Sequence, residues 1–335
     1  MIKVLVIFGG RSSEHDISCM SAGNVLENMD SKKYQVIKIG IDKEGNWLKY
    51  NGQNFNIKEN RWLNDIENIE KVENIIGILK WCDIAYPVLH GIYGEDGTIQ
   101  GLFDTFNIKY VGCNTATSAI GMDKEYSKIL AESVKIPVVP YYVLKKTDYL
   151  NINELINKIK LTFKFPVIVK PSNGGSSIGT IKVKYEDNFK EVVEDTFKYD
   201  DKILIEECID AQEIECAVLG NNNYIISDIG QIIPANEFYD FNAKYESNKS
   251  ICKIPADISQ KEEIRKYTEF FANAINVKGL ARIDFFVSKT TGKIYFNEIN
   301  TMPGFTDISM YPKLMEYCGV NYIELIDTLI QLGLQ

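Results

Sequence analysis

Ala281-Arg-Ile-Asp-Phe-Phe286 and Ile294-Tyr-Phe-Asn-Glu-Ile-Asn300 are two apolar stretches with polar residues set among them, the pattern of two neighbouring β-strands. Glu298 and Asn300 are two residues apart, so their side chains leave the same face of a strand. An inward carboxylate is costly unless it is paired or bound to a metal, and Mg²⁺ prefers oxygen ligands. The pattern therefore predicts a metal site made by Asp284, Glu298 and Asn300; the alternative is that these acids face solvent.

The residues beside these strands also suggest a ligand. Arg282 precedes Asp284 by two positions, and its fork of donors suits a carboxylate or a developing oxyanion. The alternative is a surface salt bridge, but an arginine between apolar strand residues usually has a defined partner. Gly304 follows the second strand, where a glycine lets a backbone N–H approach a ligand. The segment as a whole predicts a site for a metal and a nucleotide.

Composition limits the class of protein. A chain of 335 residues is long for one core, so two or three domains are expected. The net charge of −9 argues against sequence-independent binding to nucleic acid or to an anionic membrane, and no apolar run is long enough for a transmembrane helix. The seven cysteines are scattered without a CxxC pair, which argues against zinc and for a reducing cytoplasm.

The first third alternates strands and helices. Apolar strands are predicted at 2–8, 34–41 and 83–89, and this alternation favours a parallel sheet covered by helices, whose ligands lie beyond the carboxyl ends of the strands. Glu14 and His90 both follow such strand ends. A carboxylate there suits a substrate ammonium, whereas His90 is either structural or a general base. The stretch 52–71, rich in Asn, Lys and Glu, is predicted to be a solvated excursion.

The middle of the chain holds a glycine-rich turn. Strands are predicted at 167–170 and 178–184 around Pro171-Ser-Asn-Gly-Gly-Ser-Ser-Ile-Gly179. The turn lacks the Gly-Lys-Ser/Thr of a P-loop and the G-x-G-x-x-G of a dinucleotide site. It is either a plain hairpin turn or a flexible hairpin that closes over phosphates, with Lys170 as a cation.

Acids near the end of the next strand suit a nucleotide. Glu206-Glu207-Cys-Ile209 could meet an adenine edge, and Glu213 could accept from ribose hydroxyls; the alternative is that these acids are solvated. The last third is rich in strands and contains a long polar loop at 233–250. Such long loops are usually functional or disordered, and aromatic residues argue against plain disorder.

Several motifs occur together in a fixed order. They are Gly9-Gly-Arg-Ser-Ser-Glu-His15, His90-Gly-Ile-Tyr-Gly-Glu-Asp-Gly-Thr-Ile-Gln-Gly101, Met122-Asp-Lys124, Lys170-Pro171 with Gly175-Ser-Ser-Ile-Gly179, Glu237-Phe-Tyr-Asp-Phe-Asn-Ala-Lys-Tyr245, Arg282-Ile-Asp284 and Asn297-Glu-Ile-Asn-Thr-Met-Pro-Gly-Phe-Thr306. Over essentially the whole chain they resemble the D-alanine–D-alanine ligases, ATP-grasp enzymes of peptidoglycan synthesis.

The resemblance implies an α/β protein with a Rossmann-like parallel-sheet domain at 1–120 and an α+β ATP-grasp part at 121–206 and 207–335. ATP would lie between two antiparallel sheets, with two Mg²⁺ or Mn²⁺ ions and, as an open question, a monovalent cation such as K⁺. The implied partners are D-alanine and ATP, without nucleic acid or membrane, in a cytoplasmic homodimer.

The resemblance also assigns roles to residues. Glu14 would hold the first substrate's ammonium, Arg282 and the Gly304 amide would form an oxyanion hole, and Glu14, Ser176 and Tyr245 would form a triad closing the 233–250 loop. The implied catalytic residues are Glu14, Ser176, Tyr245, Arg282, Gly304 and Ser309. The implied substrate-binding residues are Glu14, His90, Lys244, Ser309 and Met310. The implied nucleotide-binding residues are Lys124, Lys170, Gly175, Ser176, Ser177, Glu206, Glu207, Ile209, Glu213, Tyr239 and Lys244.

Two positions bear on the second substrate. Tyr245 matches ligases that form an amide, and the apolar Met310 stands where D-serine-adding ligases tend to carry Arg. Tyr245 thus argues against D-lactate, the ester-forming case, and Met310 argues against D-serine, so both favour D-alanine. At position 207 this chain has Glu, where many members of the family have Lys or another residue. This difference leaves open which group faces adenine. A catalytically silent nucleotide-binding protein is the further alternative, disfavoured because the metal and phosphate ligands are all present. A dehydrogenase would fit the first domain alone, but its fingerprint is missing.

Overall fold

The computed structural model of the chain describes residues 1–149, 151–233 and 251–335, and its strands form three sheets. Helices cover these sheets, so the chain has a mixed α/β architecture. In the described ranges no helix has the length and apolar character needed to cross a membrane.

The first sheet has the strand order β4-β3-β2-β1-β5. Its strands are β1 (Ile2–Gly9), β2 (Tyr34–Ile41), β3 (Trp47–Tyr50), β4 (Ile69–Lys71) and β5 (Ile84–Val88). The predicted parallel pairing holds for β1 with β2 and with β5, but β3 and β4 add an antiparallel edge that the sequence did not predict. Strands β3 and β4 are short and only partly buried, so they lack the continuous apolar run that identifies the parallel strands.

The helices of this region are α1 (His15–Glu27), α2 (Asn54–Lys58), α3 (Ile75–Trp81), α4 (Thr98–Thr105) and α5 (Thr115–Met122). The prediction that 52–71 is a solvated excursion is wrong. Trp62 is fully buried there and packs edge-on against Phe8, with ring centroids 5.1 Å apart. A β-carbon on Gly40 would lie only 2.4 Å from the Trp62 ring, so the glycine makes room for the indole. One large apolar side chain fixes a segment whose overall composition is polar.

The second sheet has the order β6-β9-β7-β8, and all its neighbours are antiparallel. Its strands are β6 (Tyr141–Lys145), β7 (Val167–Pro171), β8 (Ile181–Val183) and β9 (Lys202–Glu207), accompanied by α6 (Lys124–Ser133), α7 (Ile152–Thr162) and α8 (Phe189–Thr196). Helix α7 forms because Ile152, Leu155, Ile156 and Ile159 recur at helical spacing and Asn151 caps the first amides. Its apolar face joins the core that also covers β7 and β9.

The third sheet is antiparallel throughout, with the order β12-β11-β10-β13-β14. Its strands are β10 (Ala211–Leu219), β11 (Ile225–Ile233), β12 (Ile251–Lys253), β13 (Leu280–Ser288) and β14 (Ile294–Asn300), and its helices are α9 (Lys261–Ile275), α10 (Met310–Tyr317) and α11 (Tyr322–Leu334). Along β13 the side chains alternate: Ile283 and Phe285 join the core under α9, which leaves Arg282 and Asp284 for the opposite face.

The last helices do not pack only on the third sheet. Leu325 and Leu329 of α11 share one buried cluster with Val4, Val6 and Ile84 of the first sheet. Tyr34 at the start of β2 donates a hydrogen bond to Asp327 of the same helix. The beginning and the end of the chain therefore build a common core.

Candidate active site

A cleft of about 860 Å³ separates the second and third sheets. This volume is in the range that holds a nucleotide-sized ligand. One wall is formed by β7, β9 and the turn after β7, and the other by β10, β13 and β14. Many of the predicted site residues line it: Lys124, Lys170, Gly175, Ser177, Glu206, Glu207, Ile209, Glu213, Arg282, Asp284 and Glu298.

The third-sheet wall carries a row of carboxylates across three strands. Glu215 of β10 stands opposite Asp284 of β13, which in turn stands opposite Glu298 of β14. Because directly opposed residues share a sheet face, the three acids lie side by side on the cleft wall. Glu215 was not among the predicted site residues. It is far from Asp284 in sequence, and only the strand register brings the two together.

Arg282 lies within this row. Its Nε and Nη2 donate to the two oxygens of Asp284 at 2.8 and 2.7 Å, and Nε is also 3.0 Å from Glu215 Oε2. Burial alone would lower the pKa of Arg282, but Asp284 and Glu215 outweigh it and hold the pKa well above its usual range. The guanidinium is thus a permanent cation, held by one acid on its own strand and one on the neighbouring strand.

The predicted metal ligands are close together. Asn300 donates its amide N–H to Asp284 Oδ2 at 3.0 Å, and Glu298 lies opposite Asp284 in register. Two carboxylates and an amide on a cleft wall fit the oxygen-donor chemistry of Mg²⁺, with phosphate and water to complete the shell. Within the described ranges no cluster of three His, Cys, Asp or Glu side chains is already arranged around a metal. Both oxygens of Asp284 face Arg282 instead, so metal binding would require that bidentate contact to loosen.

The second-sheet wall carries cations. Lys170 Nζ is 2.8 Å from Glu206 Oε2, and both groups are buried. Lys124, at the first position of α6, donates to the Gly174 carbonyl at 2.6 Å and is 3.6 Å from Glu298 Oε2. Lys124 therefore links the glycine-rich turn to the metal-ligand strand on the other side of the cleft.

The glycine-rich turn has an unusual backbone. Ser176 and Ser177 have φ values of 51° and 59°, in the left-handed region that non-glycine residues seldom adopt. Such conformations concentrate at functional sites. The Ser176 hydroxyl donates to Glu14 Oε1, so the turn contacts the segment that follows β1.

Glu14 fits tightly between two glycines. A β-carbon on Gly91 would lie 2.5 Å from Glu14 Oε2, and one on Gly175 would lie 2.7 Å from the same oxygen. The structure therefore brings together two members of the implied triad, Glu14 and Ser176. The third member, Tyr245, lies outside the described residues, as do Tyr239 and Lys244.

His90 serves a structural purpose in this arrangement. Its Nδ1 is 2.9 Å from the Met302 carbonyl, which can only accept, so Nδ1 carries the proton. Its Nε2 then accepts from the Ser21 hydroxyl at 3.0 Å. Burial lowers the pKa of His90, which keeps the ring neutral. The two ring nitrogens thus join the loop after β14, through Met302, to helix α1, through Ser21. A role for His90 as a general base or a substrate contact stays a prediction, and it would require one of these bonds to break.

Glu95 is a buried acid that was not among the predicted site residues. Its Oε1 accepts from the Met302 amide at 3.1 Å, and Oε2 faces the Gly91 amide at 3.4 Å. Burial, with the nearby charge of Glu14, raises the pKa of Glu95 well above its usual range. The side chain lines a small recess together with Lys124 and Glu298. The sequence feature that could have identified Glu95 is its place in the motif His90-Gly-Ile-Tyr-Gly-Glu95.

The loop after β14 contains the remaining predicted residues. A β-carbon on Gly304 would lie 2.8 Å from Ser309 Oγ, so the two residues are in close contact. The Thr306 amide donates to Ser309 Oγ at 3.0 Å. Helix α10 begins at Met310, which gives the Met310 amide the position of an unpaired donor at a helix N-terminus. The Met310 side chain itself is buried in the core against Gly230.

Comparison with known proteins gives one family. The family model for the D-Ala–D-Ala ligase N-terminus matches residues 3–113, and the model for the C-terminus matches residues 130–331. A D-alanine–D-alanine ligase of Acetivibrio thermocellus is 47% identical, with 99% of this chain and 96% of the relative covered. Another, from Caldicellulosiruptor bescii, is 45% identical, with 100% of this chain and 95% of that relative covered.

Solved structures agree. VanG D-Ala:D-Ser ligase from Enterococcus faecalis is 34% identical, with a TM-score of 0.89 and 99% of each chain covered. The D-alanine–D-alanine ligase of Coxiella burnetii is 32% identical, with a TM-score of 0.87, covering 99% of this chain and 94% of that one. These likenesses confirm the ATP-grasp fold predicted from the sequence. Matches to both family models and to full-length relatives show that the chain belongs to the D-alanine–D-alanine ligase family of ATP-grasp enzymes.

Proposed function

We propose that the protein joins two D-alanine molecules into D-alanyl-D-alanine at the expense of ATP, a step that supplies peptidoglycan precursors. The observation that carries the proposal is the cleft itself. Lys170 and the glycine-rich turn on one wall face Arg282, Asp284 and Glu298 on the other. Cations for phosphates, oxygen ligands for a metal and a fixed guanidinium are the parts that phosphoryl and acyl transfer require.

The reaction would proceed through an acyl phosphate. The carboxylate of the first D-alanine attacks the γ-phosphorus of ATP, and ADP leaves with the electrons of the broken P–O bond. The amine of the second D-alanine then attacks the acyl carbon and loses a proton, and inorganic phosphate leaves. A carboxylate oxygen is a poor leaving group, whereas phosphate is a good one. Closing the cleft over this intermediate prevents its hydrolysis.

Each group of residues would have a separate task. Glu14 would hold the ammonium of the first D-alanine, fixed by its contact with Ser176. Lys124, Lys170 and the 174–179 turn would bind the phosphates, and Glu206 with Ile209 the adenine edge. Arg282 and the Gly304 amide would stabilise the oxyanion of the tetrahedral intermediate. Ser309 and the Met310 amide would receive the second carboxylate.

The metal would be held by Asp284, Glu298 and Asn300. When bound, two Mg²⁺ or Mn²⁺ ions would neutralise the charge that develops on the transferred phosphoryl group. Arg282 would then depend on Glu215 as its remaining acid partner, because Asp284 would be shared with the metal.

The proposal is tested by incubating the purified protein with ATP, Mg²⁺ and D-alanine. Release of phosphate together with D-alanyl-D-alanine is the expected result. Phosphate release with D-serine or D-lactate but not with D-alanine would overturn the substrate assignment. Competition between acceptors at several pH values separates these cases further, because an amine must be deprotonated to attack.

The cellular setting is part of the same proposal. We expect a cytoplasmic homodimer, with domain limits at 1–120, 121–206 and 207–335. Size-exclusion chromatography with light scattering tests the oligomeric state, and assays in K⁺ and in Na⁺ buffers test whether a monovalent cation contributes.

A further inference from the structure

Lys128 is a buried cation that neither the sequence motifs nor the proposed mechanism uses. It lies on α6, its side chain is 0% exposed, and its Nζ is 3.0 Å from Glu206 Oε1. The ring of Tyr141 lies 5.5 Å from the same nitrogen. A fully buried lysine is rare, because removing the ammonium from water is costly unless an acid is close. The burial of Lys128 therefore indicates that its charge has a specific role.

The acid partner is itself shared between two lysines. Glu206 receives Lys128 on Oε1 and Lys170 on Oε2, at 3.0 and 2.8 Å. Among the described residues, Glu206 and Lys170 line the cleft, whereas Lys128 lies behind them. Burial would raise the pKa of Glu206, but the two lysines outweigh it and lower the pKa. The carboxylate of Glu206 is therefore ionised where it lines the cleft. Its Oε1 is paired with Lys128, which does not line the cleft.

The arrangement also leaves a spare positive charge. If Glu206 had Lys170 as its only partner, the two would neutralise each other, and Lys170 would have to leave an unpaired buried acid in order to reach a phosphate. Breaking such a pair is strongly unfavourable. With Lys128 in place, Lys170 can turn to a phosphate while Glu206 stays paired. Lys124, one helical turn before Lys128, lies on the same face of α6 and reaches the glycine-rich turn.

We propose that Lys128 is a positioning residue that keeps Glu206 a fixed carboxylate facing the base of the nucleotide, and so sets the preference for ATP over GTP. This rests on the proposed nucleotide role of the cleft. A carboxylate can only accept hydrogen bonds. It therefore suits the exocyclic amino group of adenine and opposes the carbonyl oxygen that guanine carries at the same place. Without Lys128, Glu206 would take up a proton or keep Lys170 as its only partner, and the discrimination would fall.

The test measures the Kd of ATP and of GTP by calorimetry, without D-alanine, for the full chain and for Lys128→Met. Methionine keeps the length of the side chain and removes the charge. The expected result is ATP binding weaker by about 10- to 100-fold, the effect of losing one charge-assisted contact, and a Kd ratio of GTP to ATP lower by about tenfold. Lys190→Met, which removes an exposed lysine on α8, is the matched control and should change neither value.

A second pair of variants separates positioning from a general packing effect. Glu206→Gln and Lys128→Met with Glu206→Gln should bind ATP equally well, because Lys128 acts through Glu206. The double variant removes the charges of Lys128 and Glu206 and leaves Lys170, which lines the cleft, as the remaining charge of the three. It provides a comparison even if Lys128→Met alone is unstable. The inference would be overturned if Lys128→Met had the same Kd for ATP and the same Kd for GTP as the unaltered protein. It would also be overturned if Lys128→Met weakened ATP binding as much in the Glu206→Gln background as in the unaltered protein. Failure of the unaltered chain to bind ATP would instead overturn the proposed function of the cleft.

Discussion

The two walls of the cleft use the same device with opposite charge. On the second sheet, two lysines, Lys128 and Lys170, flank one acid, Glu206. On the third sheet, two acids, Glu215 and Asp284, flank one cation, Arg282. The first group has a surplus positive charge and suits phosphates, and the second has a surplus negative charge and suits a metal ion.

The comparison shows why three charges are used where two would balance. A buried pair is stable but cannot release either member without leaving the other unpaired. With a third group, one outer member can turn to the ligand while the central group keeps a partner. Lys170 and Asp284 are the outer members that would turn to a ligand, and Lys128 and Glu215 are the members that would keep the central group paired.

Arg282→Ala removes the central cation of the third-sheet group, which is called the acidic wall because Glu215 and Asp284 give it a surplus negative charge. We expect kcat to fall by about 100- to 1000-fold, as for loss of one oxyanion donor, with the Kd of ATP nearly unchanged. Steady-state kinetics and calorimetry measure the two quantities. Arg282→Lys is the control, since it keeps a cation without the fork that contacts Asp284 and Glu215. A defect confined to ATP affinity would contradict the role assigned to Arg282.

Glu298→Gln removes charge from the proposed metal site without changing its size. We expect the Mg²⁺ concentration for half-maximal activity to rise by about 100-fold, the upper end of the range for residues that only support a metal ligand, because a direct ligand is lost. The matched control is Glu215→Gln on the same row: it should leave the Mg²⁺ requirement unchanged and lower kcat by about tenfold through Arg282. If both variants shift the Mg²⁺ titration equally, the division of the acidic row into metal ligand and arginine partner is wrong.

Lys170→Met removes the cation that lines the cleft from the second-sheet group, the basic wall, in which Lys128 and Lys170 pair with Glu206. Binding of ATP should weaken by about tenfold, because a phosphate contact is lost while Glu206 keeps Lys128 as its partner. The thermal midpoint should change little for the same reason. A large loss of stability would mean that Lys128 alone does not hold Glu206.

Glu95→Gln tests whether the buried acid near the acidic wall adds to its charge. Burial raises the pKa of Glu95, so the folded chain binds a proton that the unfolded chain releases above about pH 4.5. The stabilisation from this protonated acid is complete below that pH and is lost as the pH rises towards the folded pKa. Relative to Glu95→Gln, the unaltered protein should therefore lose up to about 1.4 kcal/mol of unfolding free energy per pH unit.

Thermal melts of both proteins between pH 5 and pH 8 measure this difference. His90, whose lowered pKa acts in the opposite direction, is present in both proteins, so its contribution largely cancels. A constant difference in midpoint across the range would show that Glu95 is ionised in the folded state and belongs to the acidic wall.

Much of the fold and part of the site could be predicted from local sequence. The inner strands of the first sheet are continuous apolar runs, and β13 and β14 show the period of two that exposes Asp284, Glu298 and Asn300 on one face. Short motifs around Lys170 and Arg282 identified groups that the structure brings to one cleft, and the motif around Glu14 identified a carboxylate that contacts the glycine-rich turn.

The rest depends on contacts between distant parts of the chain. Glu215 reaches Arg282 only through the register of β10 with β13, and a sequence does not show register directly. Lys128 looks like any charged residue on an amphipathic helix until Glu206 is seen beside it. Trp62 was missed because its polar neighbours dominated the composition of the segment.

The core that β1 shares with α11 has a consequence for how the chain acquires its structure. The strand at Ile2–Gly9 is made long before the helix at Tyr322–Leu334, yet Val4 and Leu329 belong to one buried cluster. Contacts so far apart in sequence form slowly, because a very long loop must close before they contribute. During synthesis part of the apolar surface of the first sheet therefore stays uncovered until α11 leaves the ribosome. Removing α11 should leave that surface exposed permanently and make the truncated chain prone to aggregation.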